Sequence, residues 1–266
     1  HLPTRRQRQM CIRDRTETIR SLRRCAAAGG YGQVALLPRG KSWRDQPERL
    51  IGLRNADPSS VHLPLWGSFS QGGRGEELAP HGNLLEHGAI GLADDDAVVP
   101  LPLLERGLLL GEMGSCPVLI APRDPVLQGD GLAREGVEAL RAGWVPDPLI
   151  SELQPVQQLL ALQQRHPERQ LRLMNLSTAA AVDLLGQADH QLKASVCWWH
   201  LLVDGSSLSS TDPGCRVRPS LGAASDRLSL RSALQSGLIQ AVAVHAVPLD
   251  EEDMLLPADQ RPPGLS

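Results

Sequence analysis

The stretch Gly237-Leu-Ile-Gln-Ala-Val-Ala-Val-His-Ala-Val-Pro-Leu-Asp-Glu-Glu-Asp253 decides how the chain is read. Leu238 to Val244 is an apolar, β-branched run of strand length, broken only by Gln240 and entered through Gly237. Near-continuous apolarity predicts a strand covered on both faces, as in a parallel sheet. His245 stands where that strand ends, and Pro248 with the acidic run Asp250 to Asp253 makes the following loop. In a β/α barrel the chemistry lies at the C-terminal ends of strands. His245 and its counterparts on sister strands are therefore the residues that decide function.

Working back from that strand, Asp226 to Ser236 is predicted helical and Asp204 to Ser225 a polar loop. Leu192 to Cys197 is a strand, Thr178 to Gln187 a helix with Ser177 as its cap, and Gln170 to Leu176 a strand. Pro148 to Arg165 is an amphipathic helix. Pro122 to Asp147 is a long irregular insertion with a short helix around Ala133 to Ala142. Before it come a strand at Pro117 to Ala121, a helix at Leu101 to Met113, and a strand at Gly88 to Leu92 running into Asp94-Asp95-Asp96. Glu76 to Glu86 reads as a helix, His62 to Trp66 as a strand, and Asp45 to Arg54 as a helix with Asp45 as cap and Pro47 in its first turn. Gln33 to Pro38 is a strand. Thr16 to Ala28 is a helix capped by Thr16 and ended by Gly29-Gly30.

About seven strands thus alternate with helices, which implies a parallel sheet with right-handed crossovers. A doubly wound sheet and a closed barrel share this pattern. Seven units plus a missing first one favour a (β/α)8 barrel of TIM type, incomplete at both ends. No Gly-x-Gly-x-x-Gly follows the first strand, which weakens a dinucleotide-binding alternative. Residues 1–15 hold five arginines without periodicity. They read as a foreign or disordered basic tail, with nucleic-acid binding as the other reading. Residues 16–266 then form the partial barrel.

Composition narrows the function classes. The 266 residues are 41% hydrophobic with a formal net charge of −3, enough for one large domain or two small ones and no argument for nucleic acid or an anionic membrane. One Phe and one Tyr do not make a base-stacking platform. Five scattered cysteines without Cys-x-x-Cys predict neither a zinc knuckle nor a disulfide framework, and a reducing cytoplasm is expected. No apolar run reaches the roughly 18 residues of a membrane span.

Eight histidines are present, and no two form His-x-His or an i, i+4 pair. Only His200 and His245 lie near predicted strand ends; surface or core roles are the plain alternative. Asp94, Asp95 and Asp96 follow a strand at the expected catalytic rim, where carboxylates hold a hard cation or cap the next helix. Asn175 to Thr178 suits a polar ligand or a helix cap.

These pieces resemble the dihydroorotase family, amidohydrolase-type barrels of pyrimidine synthesis, in the form seen in cyanobacteria. The likeness runs from Thr16 to the C-terminus. It is carried by Ala26-Ala-Ala-Gly-Gly-Tyr-Gly-Gln-Val-Ala-Leu-Leu-Pro38, Gly88-Ala-Ile-Gly-Leu-Ala-Asp-Asp, Asn175-Leu-Ser-Thr-Ala, Trp199-His-Leu-Leu-Val-Asp, Arg216-Val-Arg-Pro-Ser-Leu-Gly and Gln240-Ala-Val-Ala-Val-His-Ala-Val-Pro-Leu. The resemblance implies reversible hydrolysis of a cyclic amide, dihydroorotate to carbamoyl aspartate. One or two zinc ions would supply hydroxide there, and a last-strand carboxylate would shuttle the proton.

Against that pattern the metal-ligand positions are degenerate. The strand-5 histidine falls at Ala121, the strand-6 histidine at Asn175 and the last-strand aspartate at His245. Two nearby histidines fall at Ala246 and Leu249. The strand-1 His-x-His is absent or replaced by the tail. The family's asparagine after strand 2 falls at Arg39, and another asparagine of its pattern falls at Arg218. Zinc catalysis needs about three protein ligands and an open position. The expectation is therefore a protein without the family's zinc, inactive or impaired, with a scaffolding or regulatory role. By resemblance the partner is aspartate carbamoyltransferase, in an oligomer. The alternative is an active hydrolase with a rearranged site of Asp94, Asp95, His200 and His245. A weaker one is an anion-binding module using Arg39 and Arg218.

Overall fold

The computed structural model describes residues 19–39, 43–54, 61–94, 98–188, 192–208, 216–244, 249, 251–257 and 260–263. The chain divides into two compact units: His1–Asp95 with Val99–Val118, and Asp96–Val98 with Leu119–Ser266.

The first unit opens with helix α1, Ile19–Ala28, whose Ala26 packs with Val61 and Leu63. The predicted strand at 33–38 is reduced to two isolated parallel bridges, Gln33 to His62 and Leu36 to Leu65. Pro64 stands between the partner residues and has no N–H to give the ladder. Helix α2 is Pro47–Arg54. Asp45 does not act as a simple cap: its oxygens accept from the Gly72 amide at 2.8 Å and from the Arg49 guanidinium.

Strands β1, Leu65–Ser68, and β2, Ala89–Ala93, are parallel, with Gly67 opposite Leu92 and Ser68 opposite Ala93. Helix α3 is only His81–Glu86, shorter than the predicted 76–86, because Pro80 disfavours helical backbone at Ala79. Helix α4, Leu101–Leu110, buries Leu103, Leu104, Gly107 and Leu108 on one face and ends on a left-handed Gly111. Gly91 is required where it stands. A Cβ there would lie 2.5 Å from the Pro117 carbonyl oxygen and 2.6 Å from the Trp66 ring. Leu50, Phe69, Leu84, Leu92, Leu104 and Leu108 are fully buried and form this unit's core.

The boundary between units falls within β3, Pro117–Ile120. In the second unit the Met174 amide donates to the Ile120 carbonyl at 2.8 Å. The predicted insertion contains helix α5, Pro125–Gln128, and helix α6, Val137–Ala142. Two short parallel strands lie beside them, β4 at Ala133–Arg134 and β5 at Pro146–Asp147. Helix α7, Ile150–Arg165, contains Pro155, which cannot donate to the Ser151 carbonyl one turn back. The Asp124 amide takes that carbonyl instead, at 2.9 Å.

Strand β6 is Gln170–Leu173, helix α8 Ala179–Gln187 and strand β7 Lys193–Cys197. Thr178, not Ser177, caps α8, its hydroxyl accepting from the Ala181 amide at 3.2 Å. Thr178→Ala is expected to cost about 1 kcal/mol. The readout is a lower urea midpoint at unchanged slope; an unmoved midpoint would mean the cap contributes nothing. Helix α9 is Trp199–Leu202 and helix α10 Ala224–Gln235. Strand β8, Ala241–Ala243, pairs with β7 in parallel, Val196 opposite Val242. Helix α11, Glu251–Met254, follows.

The strand that decides the fold differs from its expected burial. Val242 is 47% exposed and Val244 59%. Each is only about half covered by the described residues, so their apolarity does not translate into two-sided burial.

Candidate functional site

The ends of β3, β6 and β7 in the second unit carry a dense set of buried polar groups. After β3, the Arg123 amide turns back on the Ala121 carbonyl at 2.8 Å, and the Arg123 side chain is 3% exposed. After β6, Asn175 takes a left-handed conformation, φ 57°, which asparagine tolerates better than most residues. Its amide donates to the Ser195 hydroxyl at 3.0 Å, and its buried Nδ2 has no hydrogen-bond partner. After β7, His200 is 2% exposed.

His200 Nε2 lies 3.0 Å from the Pro219 carbonyl oxygen, so Nε2 carries the proton and donates. Nδ1 is buried without a partner. Burial, reinforced by the positive charges of Arg123 and Arg134, pushes the imidazole down to about 4. At neutral pH His200 is an uncharged, backbone-anchored ring and a poor general acid.

Beside it, Arg134 holds together four segments. Its Nη1 donates to the Pro148 carbonyl and the Ser151 hydroxyl, both at 3.0 Å, and its Nη2 donates to the Ser177 hydroxyl at 3.1 Å. The guanidinium is 3.3 Å from Asp147 and 3.8 Å from Glu152. Asp147 also accepts from Ser151 at 2.6 Å and from Ser220 at 2.7 Å. Glu152 accepts from the Ser177 amide at 2.7 Å and its hydroxyl at 2.9 Å. Arg134, Asp147, Glu152, Ser151, Ser177 and Ser220 are all at most 5% exposed. Every carboxylate oxygen in this group has a donor, as buried charge requires.

In the first unit Asp94 ends β2 in a cradle built by the end of β1. One oxygen accepts from the Ser68 hydroxyl and the Phe69 and Ser70 amides, each at 3.0 Å. The other accepts from the Ser70 hydroxyl at 2.5 Å. Burial raises the Asp94 carboxyl, while these donors act in the opposite sense. The arrangement orders the rim and leaves little of the carboxylate for a cation.

No family model matches the chain. It is 33% identical over 282 residues to a probable dihydroorotase-like protein of Synechocystis sp., covering 93% of this chain and 64% of that protein. It is 28% identical over 258 residues to a dihydroorotase of Pelotomaculum thermopropionicum, covering 94% and 59%. An L-hydantoinase from Arthrobacter aurescens superposes with a TM-score of 0.75 at 18% identity, over 91% of this chain and 57% of that one. A dihydroorotase from Saccharomyces cerevisiae, in complex with 5-fluoroorotic acid, gives 0.65 at 12% identity, over 90% and 68%.

Over most of its length the chain is similar to dihydroorotase-like and dihydroorotase sequences. Its fold class is the β/α barrel of those neighbours, as the β–α alternation predicts. The chain spans less than two thirds of the length of these two curated relatives.

Among the described residues, three positions that the family resemblance assigns to metal ligands carry other side chains. Ala121 is fully buried and offers a methyl group where the family resemblance places a histidine. Asn175 offers a carboxamide, its Oδ1 accepting from the Ser195 hydroxyl at 3.4 Å. Leu249 is apolar and half-buried. His245, Ala246 and Asp95 lie outside the described residues. Among those described, no group of three or more His, Cys, Asp or Glu is arranged to hold a metal ion. The alternative site of Asp94, Asp95, His200 and His245 has its two described members each engaged within its own unit. Arg39 and Arg218 are exposed.

Of the Arg134 network only Ser177 is singled out from sequence, and there as a helix cap or part of a polar-ligand segment. The signal of the rest is weak: Asp147 sits between two prolines, Pro146 and Pro148, and reads as loop. Glu152, in the first turn of α7, reads as a charge complementing the helix dipole.

Proposed function

We propose that this dihydroorotase-like protein has lost the zinc centre of its family and serves pyrimidine synthesis as a non-catalytic subunit. It would scaffold or regulate a partner enzyme, aspartate carbamoyltransferase being the partner the family resemblance suggests. One observation carries the reading: the buried methyl of Ala121 and the buried carboxamide of Asn175 occupy adjacent strand ends where two histidines are expected. Neither side chain can replace an imidazole in a tetrahedral zinc site. Among the described residues no helix is long and apolar enough to cross a membrane. A reducing cytoplasm, where this pathway's enzymes would be met, is the proposed location.

The test is metal analysis of the purified protein together with a dihydroorotate turnover assay. The expected result is zinc well below one per chain and no turnover above background, with the carbamoyltransferase co-purifying. Stoichiometric zinc with turnover abolished by His245→Ala would overturn the proposal and establish a rearranged cyclic-amide hydrolase.

A further inference from the structure

A cavity of about 420 Å3 opens within the first unit, a volume suited to a small metabolite. Its polar lining is Gln46, Gln71, His81, Arg106 and Glu112. Arg106 and Glu112 are both exposed and carry opposite charges, and no ion pair joins them among the described residues. The Glu112 carboxylate has only a long contact, 3.4 Å, from the Gly82 amide. A cation and an anion that line one cavity without pairing suit a ligand that carries both charges.

His81 adds direction. It is 2% exposed and stacks against Phe69 with ring centroids 4.7 Å apart. Its Nε2 is 2.7 Å from the Phe69 carbonyl oxygen, so Nε2 carries the proton and Nδ1 is an acceptor. Burial holds this imidazole below its ordinary range, which keeps that acceptor at neutral pH. Gln71 spends its Nε2 on the Leu78 carbonyl, leaving its oxygen to accept. The cavity therefore offers one strong cation, one carboxylate and two further acceptors, the pattern that complements an ammonium and a carboxylate in one small molecule.

We propose that this cavity binds a free α-amino acid as its zwitterion, the carboxylate on Arg106 and the ammonium on Glu112 and His81 Nδ1. Gln46 and Gln71 face the space left for a small polar side chain. The site is independent of the metal question, since none of its residues belongs to the strand-end positions discussed above.

Isothermal calorimetry tests it, with each common α-amino acid as ligand and with acetate and methylammonium as controls. A polar amino acid is expected to bind saturably, and neither control is. Arg106→Gln and Glu112→Gln should each weaken that binding about tenfold or more, the size of one lost charge-assisted bond. Both side chains are exposed, so the thermal midpoint without ligand should not move. Absence of saturable heat from every amino acid would overturn the proposal. So would acetate binding as tightly as the best amino acid, or both variants retaining full affinity.

Discussion

Arg134→Met is expected to destabilise the second unit by about 3–5 kcal/mol, the usual penalty for breaking a buried ion pair from one side. The methionine fills much of the volume but leaves Asp147, 0% exposed, and Glu152, 1% exposed, without their shared cation. Three hydrogen bonds go as well, to Pro148, Ser151 and Ser177. Urea denaturation followed by circular dichroism measures the loss as a lowered midpoint. Adding Asp147→Asn and Glu152→Gln to the same chain should recover a large part of it, because neutral amides cost far less to bury unpaired. A loss below about 1 kcal/mol in the single variant would mean that water reaches the pair and that the network adds little.

Acid should weaken the fold through His200. Its folded pKa of about 4 lies below the ordinary value of 6.5. As pH falls below 6.5 the unfolded chain takes up a proton that the folded chain refuses. The contribution is therefore intact above pH 6.5, lost progressively down to pH 4, and level below that. The whole loss is about 3 kcal/mol, from about 1.4 kcal/mol per pH unit. His81 is shifted in the same sense, and Asp94 is raised and acts oppositely. Comparison with His200→Gln isolates the term, since glutamine can still donate to the Pro219 carbonyl but does not titrate. The variant should lose less stability than wild type between pH 6.5 and 4. Parallel profiles would show that His200 is protonated without penalty.

The succession of strands and helices was legible because each unit carries its own periodic apolar run and its own breaker. Gly111 ends α4 and Gly237 precedes β8, as their left-handed conformations allow. Boundaries moved where a proline intervened, as at Pro64 and Pro80. Burial was not legible at β8. An apolar run reports what a strand is able to face, and coverage of Val242 and Val244 depends on partners far along the chain. Of the site, Ala121 and Asn175 were readable as departures from a family pattern, since each is a change of functional group at a fixed place. The Arg134 network was not, because it gathers an insertion strand, a helix start, a strand end and a loop that share no local pattern. His81 was equally hidden, its role depending on a carbonyl 12 residues away in sequence.

The cradle around Asp94 has a mechanical consequence. Its donors all come from three successive residues, Ser68 to Ser70, and converge on one carboxylate. Pulling that segment away from the end of β2 would strip every donor from a buried anion in a single motion. The cost of opening this edge of the first unit is thus concentrated on a single carboxylate, which ties the end of β1 to the end of β2.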